Sequence, residues 1–166
     1  MTIAVFTRCL NSGGTERVIA RLSLLWQDLG YDIVFFTQKP GSNDDFPHGG
    51  QMRLVAPSGG WSGEGVQQAL PKFTFDWVVI NGGWNESWVE DVVATFKEKS
   101  TAKVLAILHH SFDNWLFSLA NVGDFAKKML LGQLDLIVCV DPIQAFWWSR
   151  GHSRVVYVPN PVAFQV

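Results

Sequence analysis

The sequence predicts a doubly wound α/β domain, a mostly parallel sheet of about seven strands with helices on both faces. Two observations carry that expectation. Short unbroken apolar runs alternate along the chain with segments whose apolar residues recur at helical spacing, and the first such alternation is joined by a glycine-rich turn. The composition agrees: 48% of the 166 residues are hydrophobic and only 17% charged, a balance suited to strands buried on both faces.

Ile3 to Thr7 reads as the first buried strand, followed by Asn11-Ser12-Gly13-Gly14. Val18, Ile19, Leu22, Leu25, Trp26 and Leu29 then fall at helical spacing, and Gly30 stops that helix. Ile33 to Thr37 is the second strand, parallel to the first through the helical crossover. Gln38 to Gly65 is rich in Gly, Pro, Ser, Asn and Asp, interrupted by a short strand at Met52 to Ala56. A short helix is expected within Gln67 to Phe73, and Asp76 to Asn81 is the next buried strand. Trp88, Val89, Val92, Val93 and Phe96 mark a helix, Val104 to Leu108 a strand, and Phe112 to Leu131 a long irregular helical region. Leu136 to Val140 is the sixth strand. Pro142 to Arg150 is a helix with proline in its first turn, and Val155 to Val158 is the last strand. Residues 1–158 thus read as one domain, and 159–166, opening on Pro159-Asn160-Pro161, as the start of an interdomain linker.

A net charge of -2 gives no general attraction to nucleic acid or to an anionic surface. Cys9 and Cys139 are too far apart in sequence to form a redox or metal motif, which fits a reducing cytoplasmic compartment. Met1 to Phe6 is apolar for only a strand's length and lacks the apolar stretch of a signal peptide.

In an open parallel sheet the ligand crevice lies beyond the carboxyl ends of the strands, where strand order reverses. That rule selects Arg8 to Thr15, Asn81 to Trp84, His109 to Asn114, and Asp141. In the first, Gly13 and Gly14 permit close backbone approach, and the helix that follows offers free N–H groups to an anion or a sugar hydroxyl. The turn is neither G-x-G-x-x-G nor a P-loop, and Glu16 already offsets part of the helix dipole. The plainer reading is a tight turn with Thr15 as N-cap. In the second, Asn81 can donate and accept, Gly82 and Gly83 keep the crevice open, and Trp84 offers an apolar face to a sugar ring. Trp61 and Trp115 are similar loop or helix-start aromatics, whereas Trp26, Trp77 and Trp88 fall on apolar faces and belong to the core. Trp147 and Trp148 are adjacent on a helix, so only one can point inward and the other is available to a further domain.

His109 and His110 follow a strand, and a histidine there can bind a hydroxyl or act as acid and base near neutral pH. Neighbours on an extended chain point to opposite sides, so one of the two faces the crevice. Structural hydrogen bonding is the alternative role. Asp141 can line the crevice or cap the helix behind it. No metal-ligand spacing, nucleophile elbow or close carboxylate pair accompanies these residues.

Gly13-Gly14-Thr15-Glu16-Arg17-Val18 resembles the G-G-x-E-R segment of family 4 glycosyltransferases. Asp76 to Asn81 resembles their D-V-V strand, with Asn81 where a histidine is usual. Leu108-His109-His110 is similar to the strand end that carries a cleft histidine, and His109 is the closer match. Asp135 to Asp141 resembles the strand usually followed by Ser-Glu, and Val158-Pro159-Asn160-Pro161-Val162 the segment leading into a second domain. The resemblance implies the amino-terminal, acceptor-side half of a GT-B enzyme with two Rossmann-like domains, whose absent carboxyl-terminal half binds most of the nucleotide-sugar donor. It implies a retaining, metal-independent hexosyl transfer to a glycan or lipid-linked acceptor, with no cofactor and no activity from this half alone. His109 would be catalytic. Gly13, Gly14, Thr15, Asn81, Gly82, Trp84, His110 and Asp141 would bind substrate or donor. Cytoplasmic action at the inner face of the membrane is compatible with it, although Lys127 and Lys128 read more simply as a solvated helix face. Two other classes remain open at this level: a GT-B-like sugar-nucleotide epimerase, and a non-enzymatic Rossmann-like binding domain.

Overall fold

The computed structural model describes residues 1–50, 52–56, 61–69, 74–81, 87–109 and 132–159. Their strands are β1 (Thr2–Thr7), β2 (Asp32–Thr37), β3 (Met52–Val55), β4 (Trp77–Asn81), β5 (Lys103–Leu108), β6 (Leu136–Cys139) and β7 (Val155–Tyr157). All pair in parallel in one seven-stranded sheet of order β3-β2-β1-β4-β5-β6-β7. This is the doubly wound, Rossmann-like arrangement, and the order reverses between β1 and β4.

Four helices are described: α1 (Gly14–Asp28), α2 (Gly63–Ala69), α3 (Ser87–Lys99) and α4 (Pro142–Ser149). They divide between the two faces. Ile19 and Ala20 of α1 pack with Ile3, Val5, Ile33, Phe35, Val79 and Ile107 on one face. The other face is covered by α2, α3 and α4, which bring Val66, Val89, Val92, Val93, Phe96, Ala145 and Trp148 against Phe6, Phe36, Val78, Ile80, Ala106 and Ile137. Because side chains alternate along each strand, the apolar runs of β1, β2 and β4 supply both cores at once.

Helix ends follow local chemistry. Gly30 ends α1 at φ +84°, Tyr31 N–H donating to Trp26 O and Gly30 N–H to Gln27 O in a Schellman pattern. Asp141 caps α4 through a 2.9 Å bond from Gln144 N–H. The second helix starts earlier than the periodicity suggests, because Ser62 Oγ accepts from Gly65 N–H at 3.2 Å and nucleates a turn ahead of the apolar signal. Residues 70–73 and the region expected to be helical at 112–131 lie outside the described residues.

Two sequence expectations change. Trp61 is a core residue, 6% exposed, with its ring 5.0 Å from that of Phe36 and 5.9 Å from that of Phe6. Those stacked phenylalanines leave an apolar wall that an indole fills better than solvent does. Thr15 is not an N-cap: Gly13 holds that position and Thr15 lies inside the first turn. Trp88 is buried as expected, Trp26 and Trp77 are partly buried beside the α1-face core, and of the adjacent pair Trp148 is buried while Trp147 is exposed.

Candidate functional site

The carboxyl ends of β1, β4 and β5 meet at the strand-order reversal. Thr7 ends β1, Asn81 ends β4, and His109 directly follows β5. The parallel register of β1 with β4, and of β4 with β5, sets these ends side by side. Asn81 is 4% exposed, and its amide joins the three strands. Its Nδ2 donates to Thr7 Oγ1 at 3.1 Å and to Thr15 O at 3.4 Å, while Oδ1 faces His109 Nε2 at 2.7 Å. Thr7 is itself buried, and its hydroxyl donates to Cys9 O at 3.4 Å.

The glycine turn stands over this link. Gly13 adopts φ +90°, a region that disfavours side chains, and a Cβ there would sit 2.5 Å from Glu16 Oε2. Glu16 folds back to that spot and accepts from Thr15 Oγ1 at 2.5 Å. Gly14 has open space where a Cβ would be and begins the helix in ordinary geometry. The first bond of α1 runs from Arg17 N–H to Gly13 O at 3.4 Å, so the N–H groups of Gly14, Thr15 and Glu16 precede the helical ladder. A ligand on this wall therefore meets amide donors beside a carboxylate acceptor. That mixture suits hydroxyl groups, which donate and accept, better than an unaccompanied phosphate.

The structure thus brings Thr15, Asn81 and His109 together under the Gly13-Gly14 turn. The Asn81 amide is spent on protein partners, so its contribution is to hold its neighbours. Asp141 uses its carboxylate to cap α4. Gly82, Trp84 and His110 lie outside the described residues, as do Lys127 and Lys128. Cys139 is inert at neutral pH: burial, reinforced by the charge of Asp141, pushes its thiol up to about 12. No cluster of three or more metal-ligating side chains occurs among the described residues. Nor is any described helix long and apolar enough to cross a membrane.

Thr7 was not legible as part of the site. Its only sequence signal is a hydroxyl at the end of an apolar strand, and its buried position becomes visible only when β4 pairs alongside.

A second polar cluster was also invisible in sequence. The chain between β2 and β3 crosses the sheet edge without a helix. Phe46 N–H donates to Leu10 O, Gly49 N–H to the buried Ser23 hydroxyl, and the His48 ring meets Phe35 edge-on. Arg53, opposite Phe35 in the register, pairs with Asp45 at 2.6 Å and contacts His48 Nε2 at 3.2 Å. Burial alone would raise the Asp45 carboxyl. Hydrogen bonds from Arg53 and the Ser42 backbone, with the guanidinium charge, outweigh it and hold Asp45 below the ordinary aspartate range. Gly41, Ser42, Asn43, Asp45, His48, Gly50 and Arg53 line a shallow cavity of about 340 Å³. Asn11 Nδ2 donates to Ser42 Oγ at 3.0 Å and links this edge to the glycine turn.

Compared with known proteins, the chain matches no protein-family model and no curated protein.

Proposed function

We propose that this chain is the acceptor-side half of a nucleotide-sugar-dependent glycosyltransferase of the GT-B type, transferring a hexosyl group to a glycan or lipid-linked acceptor. The observation that carries the reading is the hydrogen-bonded chain Thr15–Asn81–His109 beneath a glycine turn, at the point where strand order reverses. In this reading a second Rossmann-like domain closes the cleft and supplies most of the donor contacts. The Gly13-Gly14 turn forms the facing wall for sugar hydroxyls and the donor's diphosphate, and His109 contacts the sugar or the acceptor.

The chemistry follows from what these residues offer. The neutral amide and backbone donors contain no nucleophile, and Cys139 stays protonated. Catalysis then rests on orientation and on electrostatic stabilisation of the leaving diphosphate, and the resemblance to family 4 glycosyltransferases adds to this proposal retention of configuration without a metal or cofactor. The reaction would take place on the cytoplasmic side, at the inner membrane face where the acceptor is lipid-linked.

The test is a transfer assay on the complete enzyme that carries this chain, with a panel of nucleotide sugars and saccharide acceptors. His109→Ala is expected to lower kcat/KM by about tenfold or more, the loss of one hydrogen bond to a reacting or binding group. Unchanged kcat/KM in that variant removes His109 from the mechanism. Nucleotide-sugar conversion in the absence of any acceptor would favour epimerase chemistry instead.

A further inference from the structure

We propose that β7, with α4 beside it, is a self-complementary interface through which two copies of this chain pair, β7 of one running antiparallel to β7 of the other about a two-fold axis at Val156. The sheet ends on β7, and no described strand lies beyond it. Ile137 N–H donates to Arg154 O and Val158 N–H to Cys139 O, so the backbone groups of residues 154, 156 and 158 face β6. Those of Val155 and Tyr157, between them, point away from the sheet. The side chains along this edge are apolar and open, Val156, Tyr157 and Val158 being 45%, 47% and 46% exposed. Val156 and Val158 lie on the face of Val138 and Val140, and Tyr157 on the face of Cys139. A partner laid on one face alone reaches only part of this set, whereas a strand added along the edge meets both faces and the backbone. The opposite edge is built differently. There β3 carries Arg53, ion-paired to Asp45 with the crossover folded against its guanidinium, the kind of charge that protects an edge from pairing. Val155 to Val158 hold no charge.

The edge is complementary to itself in one register. Closed pairing of identical edges is antiparallel about a two-fold axis, and hydrogen bonding requires the outward residues to face one another, so the axis passes through Val155, Val156 or Tyr157. Through Val155, the two Arg154 side chains become diagonal neighbours, about 7 Å apart along the strands, and repel. Through Tyr157, Val155 faces Pro159, which has no N–H to offer its carbonyl. Through Val156, Val155 and Tyr157 of opposite copies exchange both of their bonds and set a β-branched side chain beside an aromatic one. The Arg154 side chains then stand about 14 Å apart along the strands, beyond the Debye length of ~8 Å at physiological salt. α4 packs on β7 on the Tyr157 face and so flanks this axis, with Ile143 and Phe146 more than half exposed. Together these side chains leave roughly 400 Å² of apolar surface uncovered. That is close to the apolar share of a standard interface, about 56–58% of ~800 Å² per partner.

The interface needs no ligand and stands apart from the function proposed above. Its test is sedimentation velocity of the chain over a concentration series. The expected result is a reversible step from the 18.6 kDa monomer to the dimer, with a Kd on the order of 10–100 μM and no larger species. Val156→Lys and Val156→Glu each set like charges face to face at the axis, and each should weaken the dimer by about tenfold or more while keeping the circular dichroism of the unaltered chain. Mixed in equal amounts, the two variants should pair with each other, because an axis through Val156 then opposes unlike charges. Tyr157→Pro removes an outward N–H and spares the bonds to β6, and it should weaken the dimer without unfolding the chain. A chain that stays monomeric up to about 1 mM overturns the proposal and needs no variant to fold. So does growth past the dimer, since pairing about a two-fold axis closes at two copies. A dimer indifferent to charge at position 156, or a Lys and Glu mixture that fails to associate, overturns it as well.

Discussion

The Asn81–His109 chain at the centre of the sheet and the Asp45–His48–Arg53 cluster at its edge both bury polar groups, by opposite electrical means. At the edge a charge pair neutralises itself: the guanidinium is divided between a carboxylate and an imidazole nitrogen, and the aspartate between Arg53 and Ser42. At the centre every link is neutral, and one amide serves two donor bonds and one acceptor bond. The edge cluster has spent its charges on holding a crossover that lacks a helix. The central chain carries no ion pair and joins a strand-end amide to the first turn of α1 and to the histidine after β5. Buried polarity of the first kind points to structure, and of the second to a site.

Substitutions should separate the two regions by what they damage. The largest effect is expected at Gly49, where the Cβ of Gly49→Ala would run into the Ser23 carbonyl and displace the crossover from α1. Thermal unfolding should show a loss of about 3 kcal/mol, on the order of 10 °C in Tm. Arg53→Leu is next, at about 2 kcal/mol, since it leaves Asp45 largely buried without its cation. His109→Ala should cost less stability than either and should instead act on ligand binding. A loss larger than that of Arg53→Leu would mean that the central chain is the structural staple.

The smallest expected effect lies in the acid limb. The folded-state pKa of Asp45 lies below its unfolded value, so its contribution is present above about pH 3.9 and is lost as pH falls through the depressed folded pKa. Asp135, held down in the same direction, behaves likewise: burial opposes the shift, but Lys97 and the Val104 N–H outweigh it. Stability profiles below about pH 4 should therefore be flatter in Asp45→Asn than in the unaltered chain. An equal slope would show that Asp45 is no better stabilised in the folded chain than in the unfolded one.

The sheet was legible because parallel strands buried on both faces leave continuous apolar runs, as in Ile33 to Thr37 and Trp77 to Ile80. Gly30 and Asp141 announced their helix ends through local chemistry that sequence carries directly. That the ends of β1, β4 and β5 meet at a strand-order reversal was legible, because the position of such a crevice follows from topology alone. Pairwise geometry was not legible. Asn81 read as a ligand contact, and only the approach of Thr7, Thr15 and His109 shows its amide to be occupied. Trp61 read as a loop aromatic because its glycine-rich surroundings hide a place set by Phe6 and Phe36 from distant strands. Asp45, His48 and Arg53 carried no periodic signal, since an extended crossover has none.

The proposed function places the binding of a hydroxyl-rich ligand at the strand-order reversal and not at the sheet edge. It is tested most directly by titrating the 15N-labelled chain with nucleotide sugars and short glycans and mapping the amide shifts. Perturbations are expected to centre on Gly13 to Glu16, Asn81 and His109 and to be reduced in His109→Ala. Perturbations centred on Gly41 to Arg53 instead, with the central residues unmoved, would contradict it.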